Sequence, residues 1–171
     1  MRNALGVGQI VALPKSAAPA FPRWDTCLHY QATMDSPSPS MRSLARRLLV
    51  IEAVGAARAR GADARVHEAV RVCEKLRTSL TRFAGAEGFT SLLRRTLALA
   101  RVEAPSLNRI TVMPDCSMDG LEALVADDTD GGVEAVAVLT AHILGLLETF
   151  IGESLALRLV RDAWPDEALD E

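Results

Sequence analysis

Glu148 and Glu153 lie five residues apart in the apolar stretch ILGLLETFIGESLALRLV, residues 143–160, and His142 stands immediately before it. Two carboxylates in different surroundings can divide the roles of general acid and general base, because each environment moves its proton affinity separately. In a buried helix the same residues make structural ion pairs when basic side chains face them, since a charge in apolar surroundings needs a counter-charge. The 14 basic residues between positions 41 and 112 supply such partners. Structural pairing of His142, Glu148 and Glu153 is therefore the first expectation, and an enzyme that uses the three is the alternative.

The other chemistry-bearing stretches are incomplete. In DDTDGG, residues 127–132, Asp128, Asp130 and Gly131 match the third, fifth and sixth places of a helix-loop-helix calcium loop. The first place falls on Ala126 and the twelfth on Ala137, so the opening and closing carboxylates are absent. A turn whose carboxylates face the N-terminus of the next helix suits this run better, because negative charge is favoured at that end of the helix dipole. His29, His67 and His142 stand apart, and only Cys27 beside His29 approaches ligand spacing. GVGQIV lacks the third glycine of a dinucleotide fingerprint, and neither a phosphate-cradling GxxxxGK loop nor a GxSxG elbow occurs. No catalytic residue, metal, cofactor or small-molecule ligand is expected.

Charge is distributed unevenly. Residues 41–112 carry 14 basic and 6 acidic side chains, net +8, whereas 113–171 carry 2 and 14, net −12. Residues 1–40 add three basic and two acidic side chains. Either the halves neutralise each other, on folding or across a dimer, or the basic half binds an anionic polymer. Arg71, Lys75, Arg82, Arg94, Arg95 and Arg101 form the basic surface that would follow phosphates. No aromatic residues interleave it, so nucleic-acid binding stands second to protein interaction.

The elements that position these residues read as helices. From Ser40, Met41, Leu44, Leu48 and Ile51 recur at helical spacing until Gly61. A second helix at about 62–84, with Asp63 as cap, has Val66, Val70, Cys73, Leu76, Leu80 and Phe83 on one face; His67 falls on its exposed flank. Gly85 and Gly88 predict a turn, and Phe89, Leu92, Leu93, Thr96 and Ala100 define a third helix ended by Pro105. RITVM, residues 109–113, is β-branched and must pair with GQIVAL near the N-terminus or with another chain, unless it is an extended connection. PDCSMDG then leads into a short helix at about 119–127, with Asp119 and Glu122 at capping-box spacing. A long helix spans 132–163, and Trp164 and Pro165 close it.

CEKLRTSL, residues 73–80, resembles the phosphoacceptor box of sensor histidine kinases, roughly Ser-His-Glu-Leu-Arg-Thr-Pro-Leu. The phosphorylated His of that pattern falls on Glu74, and only Leu76, Arg77, Thr78 and Leu80 survive, so kinase activity is not implied. VCEKLR, GFTSLLRRTLALA and TFIGESLALRLVRDAWP together resemble a family of bacterial helical proteins with no assigned activity, over about residues 41–165. That resemblance implies one bacterial helical domain. Residues 1–40, with Pro37, Pro39 and the run SPSPS, read as a tail or linker, or as residues ahead of a start at Met34 or Met41; residues 166–171 read as an acidic tail. Three widely spaced cysteines suit a reducing cytoplasm, and RNALGVGQIVAL followed by SAAPA is the minor alternative of an export signal.

The long helix decides the architecture. Ten large apolar side chains in residues 136–155, at about −0.5 kcal/mol each, favour membrane insertion by roughly 5 kcal/mol. Two glutamates at about +3 kcal/mol each cancel that, and no membrane span is expected. Leu139, Ile143, Leu146, Leu147, Phe150, Ile151 and Leu157 occupy a broad apolar arc. Ala141, Gly145, Thr149, Gly152 and Ala156 form a small-residue track opposite, which would let a second helix approach closely. The expected fold is mainly α, a five-helix bundle-like domain with at most one or two short strands and a long central C-terminal helix. Its expected role is a non-enzymatic interaction or scaffold module that associates with itself or another helical protein.

Overall fold

The computed structural model of the protein describes residues 36–58, 67–126 and 130–165. Five α-helices and one two-stranded hairpin make up the regular structure of the described residues. Helix α1, Pro39–Arg58, starts where Ser38 Oγ accepts a hydrogen bond from the Met41 amide at 3.3 Å. Ser38 is thus the cap, and Pro39 opens the helix because its fixed φ suits the first turn. Met41, Leu44, Ala45, Leu48 and Leu49 form the buried stripe, and Glu52 continues it. The expected stop, Gly61, and the expected cap, Asp63, lie outside the described residues.

Helix α2, Glu68–Glu103, spans 36 residues as two helical segments that meet at a kink, as expected, the non-helical residue being Gly85 at φ +74° and ψ 167°. The turn expected at 85–88 contracts to this residue, whose missing Cβ permits the left-handed conformation. His67 is the N-cap, its Nδ1 accepting from the Ala69 amide at 3.2 Å, and not a surface residue within the helix. Val70, Cys73, Leu76, Leu80, Phe89, Leu93 and Ala100 are buried as the periodicity predicts, but Phe83 is 48% exposed.

Beyond α2 a 3-10 turn, Pro105–Arg109, leads to β1, Thr111–Val112, and β2, Met118–Asp119. Thr111 pairs with Asp119 and Val112 with Met118, antiparallel. The strand partner is therefore the segment expected to cap a helix, seven residues downstream and reached through a turn at Cys116, φ +66°. Helix α3, Leu121–Ala126, follows Gly120 rather than an Asp119 cap. A Cβ on Gly120 would lie 2.6 Å from the Arg109 carbonyl oxygen, so only glycine allows this close approach.

Helix α4, Asp130–Ile151, and helix α5, Glu153–Ala163, replace the single long helix. The break is Gly152, at φ +81°. Every residue from Ala135 to Leu144 is buried, so α4 is the central element, covered by α1 and α2. By length and composition α4 could cross a membrane, and 67% of its most apolar window is buried within the protein. The cover thins after Leu147, where Phe150 is 61% exposed despite its place in the apolar arc.

The small-residue track does not seat one helix. Ala141 and Ala156 are buried, Thr149 is exposed and bonds back to the Gly145 carbonyl at 2.9 Å, and Gly152 forms the exposed break. Gly145 meets the chain ahead of α1: an added Cβ would lie 3.0 Å from Pro37 Cα. Gly145→Leu is expected to cost about 1–3 kcal/mol by overpacking against Pro37. At Gly152 the neighbouring space is open, and Gly152→Ala should cost about 1–3 kcal/mol from backbone conformation alone, since φ +81° with ψ 156° is a region that glycine alone populates readily. Urea unfolding midpoints test both, and an unchanged midpoint for Gly145→Leu would remove the Pro37 contact from this account.

Candidate functional site

The most elaborate polar cluster surrounds Glu52, a residue 5% exposed on the apolar stripe of α1. Its Oε2 accepts from Arg71 Nε at 2.9 Å, and its Oε1 accepts from Trp164 Nε1 at 2.7 Å. Lys75 Nζ lies 2.5 Å from Oε1, and Arg71 Nη2 also donates to the Glu52 carbonyl. The Lys75 ammonium stands over the Trp164 ring, 5.4 Å from its centroid, an arrangement in which the ring quadrupole attracts the cation. Burial pushes the Glu52 carboxyl up, and hydrogen bonds from Lys75, Arg71 and Trp164 outweigh it, so the group titrates below the usual carboxylate range. Three distant parts of the chain are fastened here: α1, the first turns of α2 and the residue that ends α5.

A second cluster joins Glu103, at the end of α2, to Arg42 of α1 and His142 of α4. Arg42 grips Glu103 with both guanidinium ends, the Nη2–Oε2 distance being 3.0 Å, and His142 Nε2 lies 3.2 Å from Oε2. The Arg42 hydrogen bond holds the Glu103 carboxyl below its ordinary range. His142 is 4% exposed, so its carboxylate neighbour anchors the middle of the core helix to α2. Nearby, Arg46 pairs with Glu134 at 2.8 Å on the surface, where such a contact is worth little.

His142, Glu148 and Glu153 do not converge. Glu148 is half-buried and accepts from Ser38 Oγ at 3.0 Å, and Glu153 is exposed in the first turn of α5. The expected ion pairs with arginines thus form at Glu52 and Glu103, while Glu148 holds the Ser38 cap. The basic surface divides as well. Arg71 and Lys75 turn to Glu52, and Arg101 donates to the carbonyls of Leu107 and Ile110, at 3.3 and 2.6 Å, fixing the 3-10 turn. Arg82, Arg94 and Arg95 are exposed. Among the described residues no group of three potential ligands could hold a metal; Asp127, Asp128 and Thr129 of the acidic loop lie outside them. The Cys73 thiol is buried and pushed up to about 12, which makes it a poor nucleophile.

What the helices do leave open is a groove. A cavity of about 330 Å³ lies between α2 and the end of α4, lined by Leu80, Phe83, Leu92, Leu147, Phe150 and Ile151, with Gly88, Ser91 and Arg95 also on its lining. A wider cleft of about 790 Å³ adjoins it at Phe83, and its charged groups are mixed in sign, with Glu74, Lys75, Arg82, Arg161 and Asp162 along it. Sequence periodicity assigned Phe83 and Phe150 to the core; the signal that could have separated them is their position at the ends of their apolar stripes, beside Gly85 and Gly152. Comparison with protein-family models, with curated proteins and with solved structures finds no match, so the resemblance to bacterial helical proteins carries no family assignment.

Replacing Glu52 by Gln should remove about 3 kcal/mol of stability, the lower end of the range for a broken buried pair, because Lys75 remains 44% exposed. Since the folded carboxyl titrates below its unfolded value, its contribution is complete above the ordinary carboxylate range. It is lost as pH falls through the lower folded value. Urea titrations from neutral to acid pH check this: the wild type should lose the increment on acidification, and Glu52→Gln should lack that part of the loss.

Proposed function

We propose that the protein is a non-enzymatic helical interaction module whose docking surface is the groove between α2 and α4. One observation carries the reading: an apolar trough bordered by Phe83, 48% exposed, and Phe150, 61% exposed, the two exposed aromatic side chains among the described residues. Exposed aromatics beside a trough of this kind suit an apolar helix face, which would be held by anchors at three- and four-residue spacing. The separate partners of His142 and Glu148, and the exposure of Glu153, favour this over catalysis. The inward commitment of Arg71, Lys75 and Arg101 favours it over an arginine surface for nucleic acid. The free buried thiols Cys73 and Cys116 suit the reducing cytoplasm proposed for it.

A photo-activated cross-linker, p-benzoyl-phenylalanine in place of Ser91, which lines the groove, probes it in cells. The same group at Val102, 86% exposed and away from the groove, is the control. The reading expects protein adducts from position 91 and not from 102. No adduct at 91, or equal labelling at both, would overturn it.

A further inference from the structure

We propose that α5 is a hinged latch, which swings away from α2 as a unit about Gly152 and is held shut through Trp164. The proposal does not depend on the docking reading above. Gly152 has φ +81° and ψ 156°, and a Cβ added there would meet nothing within 4 Å. Its amide closes α4 by donating to the Glu148 carbonyl at 2.9 Å, and its carbonyl opens α5 by accepting from the Ala156 amide at 3.1 Å. Both rotatable backbone bonds of Gly152 lie between that amide and that carbonyl. Rotation there turns α5 against α4 and breaks neither hydrogen bond, which is how a hinge residue absorbs a large change.

The fastening sits at the far end. Within α5 the fully buried side chains are Ala156 and Val160, both small beside Trp164, which follows the helix and is 2% exposed. Leu157, Leu159 and Ala163 are half-buried. At the rise of an α-helix, Trp164 stands roughly 18 Å along the chain from Gly152. Its Nε1 donates to Glu52 Oε1 at 2.7 Å, and the Lys75 ammonium lies over its ring. Ser79 Oγ adds a second tie, donating to the Leu159 carbonyl at 3.2 Å. A helix held by one large anchor opposite its hinge opens locally once that anchor is released, while the core stays folded. What moves is one wall of the 790 Å³ cleft, which Leu159, Asp162 and Ala163 of α5 share with Thr78, Ser79 and Arg82 of α2. Opening α5 therefore widens this cleft and uncovers the part of α2 packed beneath it.

Amide hydrogen exchange of the full chain, under conditions where it reports the opening equilibrium, tests the latch, with circular dichroism as a check on folding. Residues 157–163 should share one opening equilibrium and be less protected than residues 135–144. Trp164→Phe keeps an aromatic ring and loses the donor; it should raise exchange across 157–163 about tenfold and leave 135–144 unchanged. Ser79→Ala leaves the Glu52 cluster whole and should raise exchange of the same stretch about threefold. Protection that falls off progressively toward Ala163 would be end fraying and would overturn the swing as a unit. Exchange of 157–163 that Trp164→Phe leaves unchanged, or a rise that 135–144 shares equally in both variants, would overturn the latch.

Discussion

The enclosure of α4 is the constraint on which the rest of the structure depends. A helix buried on all sides from Ala135 to Leu144 must be covered by other elements around its whole circumference, and among the described residues α1 and α2 are the helices long enough to do so. Each cover is fastened by polar groups placed where the apolar contact alone would allow sliding. Arg42 and His142 bind Glu103 and so register α1, α2 and α4 against one another. Arg71, Lys75 and Trp164 bind Glu52 and bring the end of α5 back to the start of α2. Non-directional burial supplies the stabilisation, and these clusters select one arrangement of the helices.

The same constraint explains where apolar surface remains exposed. Cover is complete from Ala135 to Leu144 and fails near the end of α4, close to the breaks at Gly85 in α2 and at Gly152 between α4 and α5. The trough that Phe83 and Phe150 border lies near those two breaks.

The all-helical class, the central place of the C-terminal helix and most of the buried stripe were legible because apolar spacing reports directly which face of a helix is covered. Met41, Leu44 and Leu48 on α1 and Leu76, Leu80, Leu93 and Ala100 on α2 followed that rule. Partners distant in sequence were not legible. The Glu52 to Trp164 hydrogen bond spans 112 positions, although Glu52 at four residues from Leu48 already stood on the buried stripe. Glu148 and Glu153 misled because membership of an apolar run was read as burial, whereas Gly152 turns the chain there and leaves Glu153 in solvent. The hairpin was half legible: β-branched residues marked β1, but β2 carries turn-like sequence and is a strand only because β1 pairs with it.

The central claim is that α4 is a closed core from Ala135 to Leu144 and opens at its end, where the groove proposed as a docking surface lies. Amide hydrogen exchange resolved along α4 tests it most directly. The account predicts strong protection of residues 135–144 and weaker protection of residues 147–151. Weak protection of 135–144, or equal protection of the two stretches, would contradict it.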